Sequence, residues 1–164
     1  MGRPRKVVPA FVIPEPGGPQ LNYWTFKSTA RSFAYVIQAE GDPPIKIGVA
    51  NDVVKRIATL QTGNPRRIRL LHALVGDRRF EYELHRLFSE RYGHRLVGEW
   101  FTGPGTTGFL DMVEDLAREM LLRHKNGVSL PDFRDFSPFK ERLVPSNYVD
   151  WTDKRRTERE AQAA

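Results

Sequence analysis

Apolar and polar positions along the chain follow two alternating periods between Ser32 and Asn126, and each change of period marks an element. Phe33, Tyr35 and Ile37 fall on every second position, the pattern of a half-buried strand. GDPP at 41–44 reads as a turn and IKIGVA at 45–50 as a second strand, so 33–50 is predicted to form a β-hairpin. Val53, Ile57 and Leu60 then recur at helical spacing over VVKRIATLQT. Asn51 or Asp52 supplies the cap, and Gly63-Asn64-Pro65 stops the helix. RIRLLHALV (67–75) is apolar enough for a strand inside a sheet. After Gly76-Asp77, RRFEYELHRLFSERY predicts a helix that buries Phe80, Leu84, Leu87 and Phe88. GEWF (98–101) is a candidate short final strand. Leu110, Val113, Leu116, Ala117, Met120 and Leu121 form one stripe of the longest helix, ended by Asn126-Gly127.

The flanks lack this order. Residues 1–31 contain Pro4, Pro9, Pro14, Pro16 and Pro19 with Gly17-Gly18, and are expected to be an extended basic arm. Residues 127–164 hold Phe133, Phe136, Phe139, Tyr148 and Trp151 without periodicity, and end in a polar tail. The order between them predicts an α+β domain over 32–126. Its core is ββαβα, a small three-stranded, mainly antiparallel sheet flanked by helices, with a C-terminal helix and tail after it.

Composition narrows the function classes. A chain of 164 residues with 40% hydrophobic content can build one real core. It has no apolar run of membrane-spanning length, and prolines break the N-terminal segment that could have served as a secretory signal. Cysteine is absent, which removes disulfides, thiolate metal sites and a cysteine nucleophile. A cytoplasmic location is the simplest expectation. The net charge of +6 is unevenly distributed. Residues 1–32 carry five basic side chains against one acid and 33–102 carry eleven against eight, whereas the remainder is almost balanced. A positive first two-thirds suits a polyanion such as DNA.

No phosphate-binding GxxxxGK[ST] loop, HExxH helix or GxSxG elbow occurs. An ordered series remains: Tyr35 on the first strand, Lys46 and Gly48 on the second, Arg56 on the first helix, and Glu81 and His85 on the next. With FAYVI, KIG, KRIATLQTGNP, EYELHRLF and GEWF in this order, the stretch from Phe33 to Phe101 resembles the GIY-YIG nuclease superfamily, in a phage- and bacterial-type branch. The resemblance implies hydrolysis of DNA phosphodiesters with one Mg²⁺ (or Mn²⁺). It makes Tyr35 the contact to the attacking water and candidate general base, and Arg56 the transition-state clamp. Glu81 becomes the metal ligand, and Gly48 the site of close backbone approach to phosphate. Lys46 stands where the family has its second tyrosine. It could share in water activation, clamp a phosphate, or be a solvated charge on an exposed strand face. His85, one helical turn from Glu81, could orient a water, touch phosphate, or be a buried structural histidine.

Two further features bear on DNA. Gly2-Arg3-Pro4-Arg5-Lys6 resembles the centre of an AT-hook, which would place Arg3, Arg5 and Lys6 in a minor groove. Arg66, Arg67 and Arg69 form a second basic cluster that could follow a DNA backbone. Against activity, the late asparagine of many family members is missing, and GEWF offers Glu99 in its place. The expected partner is DNA, with the chain a monomer or weak dimer and no membrane association. Two other readings stay open: a DNA-binding module that keeps the fold without the chemistry, and a small interaction protein docking through its aromatic C-terminal segment.

Overall fold

The alternation at 33–50 forms a hairpin: β1 (Phe33–Ala39) pairs antiparallel with β2 (Ile45–Ala50), Tyr35 opposite Gly48 and Ile37 opposite Lys46. The computed structural model describes residues 21–130, 133–136, 139 and 161–163. On the other side of β1 lies β3 (Ile68–Val75), also antiparallel, with a bulge where Val36 faces His72 but Ile37 faces Leu70. The extra residue, Leu71, kinks the strand and turns the side chains beyond it to a new angle.

The sheet does not stop at three strands. β5 (Trp100–Thr102) pairs with β2, and β4 (His94–Arg95) pairs with β5, giving a five-stranded antiparallel sheet in the order β3-β1-β2-β5-β4. The expected three-stranded sheet is therefore too small, although the α+β class stands. Strands of two and three residues are too short to show a period-2 pattern, and these two exist through their partners' hydrogen bonds. Pairing on both sides makes β2 an interior strand.

Helix α2 (Val53–Thr62) begins where Asp52 accepts a hydrogen bond from the Lys55 N–H. Its last turn is tied to β3 by Gln61. The Gln61 amide nitrogen donates to the Asn64 and Arg66 carbonyls at 3.0 and 2.8 Å, while its oxygen accepts from the Ile68 N–H at 2.7 Å. Asn64 adds a turn of its own, its side-chain oxygen accepting from the Arg66 N–H. The LQTGNP string is thus the stitching of this corner. Helix α3 (Arg78–Arg91) is capped by Asp77, which accepts from the Arg79 and Phe80 N–H groups. It buries Phe80, Leu84, Leu87 and Phe88 completely. Helix α4 (Thr106–Lys125) buries Val113, Leu116, Ala117 and Met120 together with Phe109.

The arm expected to be extended over 1–31 contains a six-residue helix, α1 (Leu21–Phe26). So short a helix gives no periodic signal and is marginal alone. Tertiary contacts hold it: Tyr23 meets Phe33 edge-on at 5.1 Å, and Phe26 meets the His124 ring at 4.9 Å. The described residues up to Leu130 make one compact unit and those from Phe133 onward another. In the second, Phe133–Asp135 form a 3₁₀ turn and the Phe133 and Phe139 rings pack edge-on at 5.6 Å. The expectation of an irregular aromatic segment over 127–164 falls largely outside the described residues.

Candidate active site

Tyr35, in the middle of β1, sits between Gly48 and Ala73, the smallest residues its neighbouring strands could offer. Its ring is fully buried across Gly48. A Cβ added there would lie 2.4 Å from the phenol oxygen and 2.5 Å from Cζ. The glycine of KIG therefore makes room for the tyrosine ring, and the space expected to admit a phosphate is taken by that ring. The Tyr35 hydroxyl lies beside the guanidinium of Arg56, an exposed side chain on α2. Burial raises the phenol above its ordinary range, and Arg56 only partly offsets this.

Lys46 precedes Gly48 by two positions, so both lie on one face of β2. It is buried, with Nζ 2.5 Å from the Glu99 carboxylate. The reading of Lys46 as a solvated charge is excluded by that burial. Glu99 sits in the turn before β5, where its backbone carbonyl accepts the Ile47 N–H at 3.1 Å. Burial alone would raise its carboxyl, but the Lys46 hydrogen bond and charge hold it below the usual range.

Glu81, in the first turn of α3, is buried and interacts with Glu99. Burial first, then the Glu99 charge, pushes its carboxyl up to about 7, while Arg78 and Lys46 pull the other way. Tyr35 senses both carboxylates. Tyr35, Lys46, Arg56 and Glu81 thus belong to one cluster with Glu99, and the remaining catalytic candidate, His85, borders it, its Nε2 3.9 Å from the Glu81 carboxylate. Another acid of α3, Glu83, is also buried but turns to Arg86, at 3.4 Å.

The fifth candidate, His85, is a brace. One ring nitrogen, Nε2, lies 2.9 Å from the Ile47 carbonyl, and Nδ1 lies 3.0 Å from the Arg95 guanidinium. A carbonyl can only accept and a guanidinium only donate, so the proton is on Nε2. Burial lowers the imidazole pKa and keeps the ring neutral. With both nitrogens engaged, His85 ties α3 to β2 and has no lone pair left for a water.

Sequence reasoning finds Glu99 only as an acid standing in place of an asparagine. Its pairing with Lys46 joins residues far apart in the chain, which no local pattern reveals. Of the expected DNA contacts, Arg66, Arg67 and Arg69 are exposed on the α2–β3 corner and β3, and Arg66 is ion-paired with Asp42. Arg3, Arg5 and Lys6 lie outside the described residues. Beside the cluster runs an open groove of about 570 Å³, lined among others by Asn51, Lys55, Arg56, Thr59 and Arg78. The first turns of α2 and α3 border it, their N–H groups capped by Asp52 and Asp77, and three basic side chains against one acid, Asp52, give its lining a net positive charge. Arg56 belongs to both groove and cluster.

Hard oxygen donors suit a divalent cation of the magnesium type. Glu81 fits that role: it is desolvated and faces a second carboxylate, and a bound cation would relieve both penalties. Among the described residues no group of three or more His, Cys, Asp or Glu side chains gathers into a larger metal centre. No helix there is long and apolar enough to cross a membrane.

Residues 32–121, more than half of the chain, match the family model of the T5orf172 domain, a domain associated with nuclease-like proteins. The match begins just before β1 and takes in every member of the cluster. No curated protein and no solved structure matches the chain.

Proposed function

The chain belongs to the T5orf172 domain family, and on that footing we propose that it is a metal-dependent DNA endonuclease working through a GIY-YIG-type site. The observation that carries this reading is the convergence of Tyr35, Lys46, Arg56, Glu81 and Glu99, drawn from two strands, two helices and a turn, beside a basic groove.

Each side chain has a task set by its surroundings. Glu81 would hold Mg²⁺ or Mn²⁺, with Glu99 next to it. When bound, the cation supplies positive charge to the leaving oxygen. Arg56 reaches from the groove and can engage two non-bridging oxygens of the phosphate as charge develops on them. Tyr35, kept protonated at neutral pH by its burial, orients the attacking water through its hydroxyl. Arg56 beside it favours the small phenolate population, the form whose oxygen can take the water's proton as attack proceeds and so return to the phenol. Lys46 supplies a second positive group, fixed in place by Glu99. His85 holds α3 against β2, and with it the separation between Glu81 and the hairpin.

Supercoiled plasmid with Mg²⁺ or Mn²⁺ tests the reading. The parent should nick it, and Glu81→Ala and Arg56→Ala should each lower the rate about 100-fold or more. The second reading, a DNA-binding module without hydrolytic activity, is favoured by the Lys46–Glu99 ion pair, which occupies the lysine that replaces a catalytic tyrosine. Band shifts without nicking, retained in Glu81→Ala, would establish it.

A further inference from the structure

Four large apolar side chains are exposed among the described residues, and two of them, Leu96 (49%) and Val97 (73%), are adjacent at the tip of the β4–β5 hairpin. The tip is built rigidly. The Leu96 N–H donates to the Trp100 carbonyl at 2.8 Å, and the Trp100 N–H donates back to the Val97 carbonyl at 3.0 Å. Gly98, with φ of +58°, takes the left-handed position that closes so tight a turn. Both sides of the turn are fastened to the site. Arg95 lies over the Phe101 ring and contacts His85, while the Glu99 carbonyl accepts the Ile47 N–H. Residues 91–98 contain Arg91, His94 and Arg95 and no acid.

We propose that Leu96 and Val97 form a wedge that enters the base stack of bound duplex DNA and opens a step beside the phosphate held in the site. The inference rests on the DNA-cleaving reading above and names how that site meets its substrate. Chain reach places Val97 within about 7 Å of Glu99, about two base steps along a duplex. An apolar pair on a preorganised turn loses little freedom on insertion, and apolar wedges flanked by basic side chains are suited to prying base steps apart. Two side chains are too small an area for a stable protein interface, which needs about 800 Å² from each partner. The basic flank favours a polyanion.

The test uses short duplexes carrying 2-aminopurine at successive positions, saturated with the full chain without divalent cation so that the DNA stays intact. The parent should raise the fluorescence at one or a few adjacent positions. The double variant Leu96→Ser/Val97→Ser should abolish the rise while binding, read by anisotropy, changes less than about tenfold, since phosphate contacts carry the affinity. Nicking by this variant should fall about tenfold or more. Leu122→Ser, a comparably exposed side chain on α4, should match the parent in all three readouts. Binding and nicking by the parent with no fluorescence change, or a change that survives in the double variant, overturns the wedge and leaves the nuclease reading intact. Failure of the parent to bind DNA overturns both. Self-association in sedimentation that the double variant loses would assign the tip to a second copy of the chain and overturn the wedge.

Discussion

Single atoms decide much at this site. Gly48→Ala would drive a methyl group into the Tyr35 ring, whose nearest atoms are within 2.5 Å of the added carbon. The ring must move, and its hydroxyl beside Arg56 with it. We expect a loss of about 1–3 kcal/mol in urea unfolding and a drop in nicking of at least about tenfold. The Glu81 carboxyl carries a signed pH effect. Its folded value of about 7 exceeds the ordinary 4.5, so in the metal-free protein the native state binds the proton more tightly than the unfolded chain. Its penalty is absent below pH 4.5, grows as pH rises toward 7, and reaches about 3 kcal/mol above that. Glu81→Gln should therefore be more stable than the parent at pH 8 and no more stable at pH 4, as denaturant titrations at the two values would show. A variant that lost stability equally at both would contradict this account of the buried carboxylate.

At the scale of elements, α3 positions both Glu81 and His85, and its start depends on Asp77 accepting two backbone N–H groups. Asp77→Ala should cost about 1 kcal/mol, seen as a lower urea midpoint with an unchanged slope. Nicking should fall more than that stability loss predicts, because the first turn holding Glu81 loosens. The larger elements are legible in the sequence. Both strands of the hairpin, the helix with Val53 and Ile57 buried, and the long terminal helix announce themselves through period and cap. So does the order of Tyr35, Lys46, Arg56 and Glu81. The features that escape a sequence reading are made by tertiary contact. The six residues of α1 are helical because Tyr23 and Phe26 find rings elsewhere in the fold. β4 is a strand because β5, the short strand expected at GEWF, offers it an edge. Glu99 matters because Lys46 reaches it. The role of Gly48 is hidden for the same reason, since only the cross-strand register shows what fills the space above it.

Over the whole molecule, charge and topology act together. A net charge of +6, with the basic groove beside the cluster, predicts DNA affinity that falls steeply with salt. Replacing Arg56 by Ala should reduce the slope of log Kd against log salt concentration by about 1, measured by anisotropy in the absence of divalent cations. The placement of β5 has a different kind of consequence. It meets β2 through only two register pairs, Ile45 with Phe101 and Lys46 with Trp100, yet it anchors the turn that delivers Glu99. The rest of that attachment comes from Phe101, fully buried against His85 and Phe88, and from the Ile47 N–H bonded to the Glu99 carbonyl. In a chain emerging from synthesis the hairpin and the helix bearing Arg56 are made before the segment that carries Glu99, so the Lys46–Glu99 pair, and with it the cluster, is completed last.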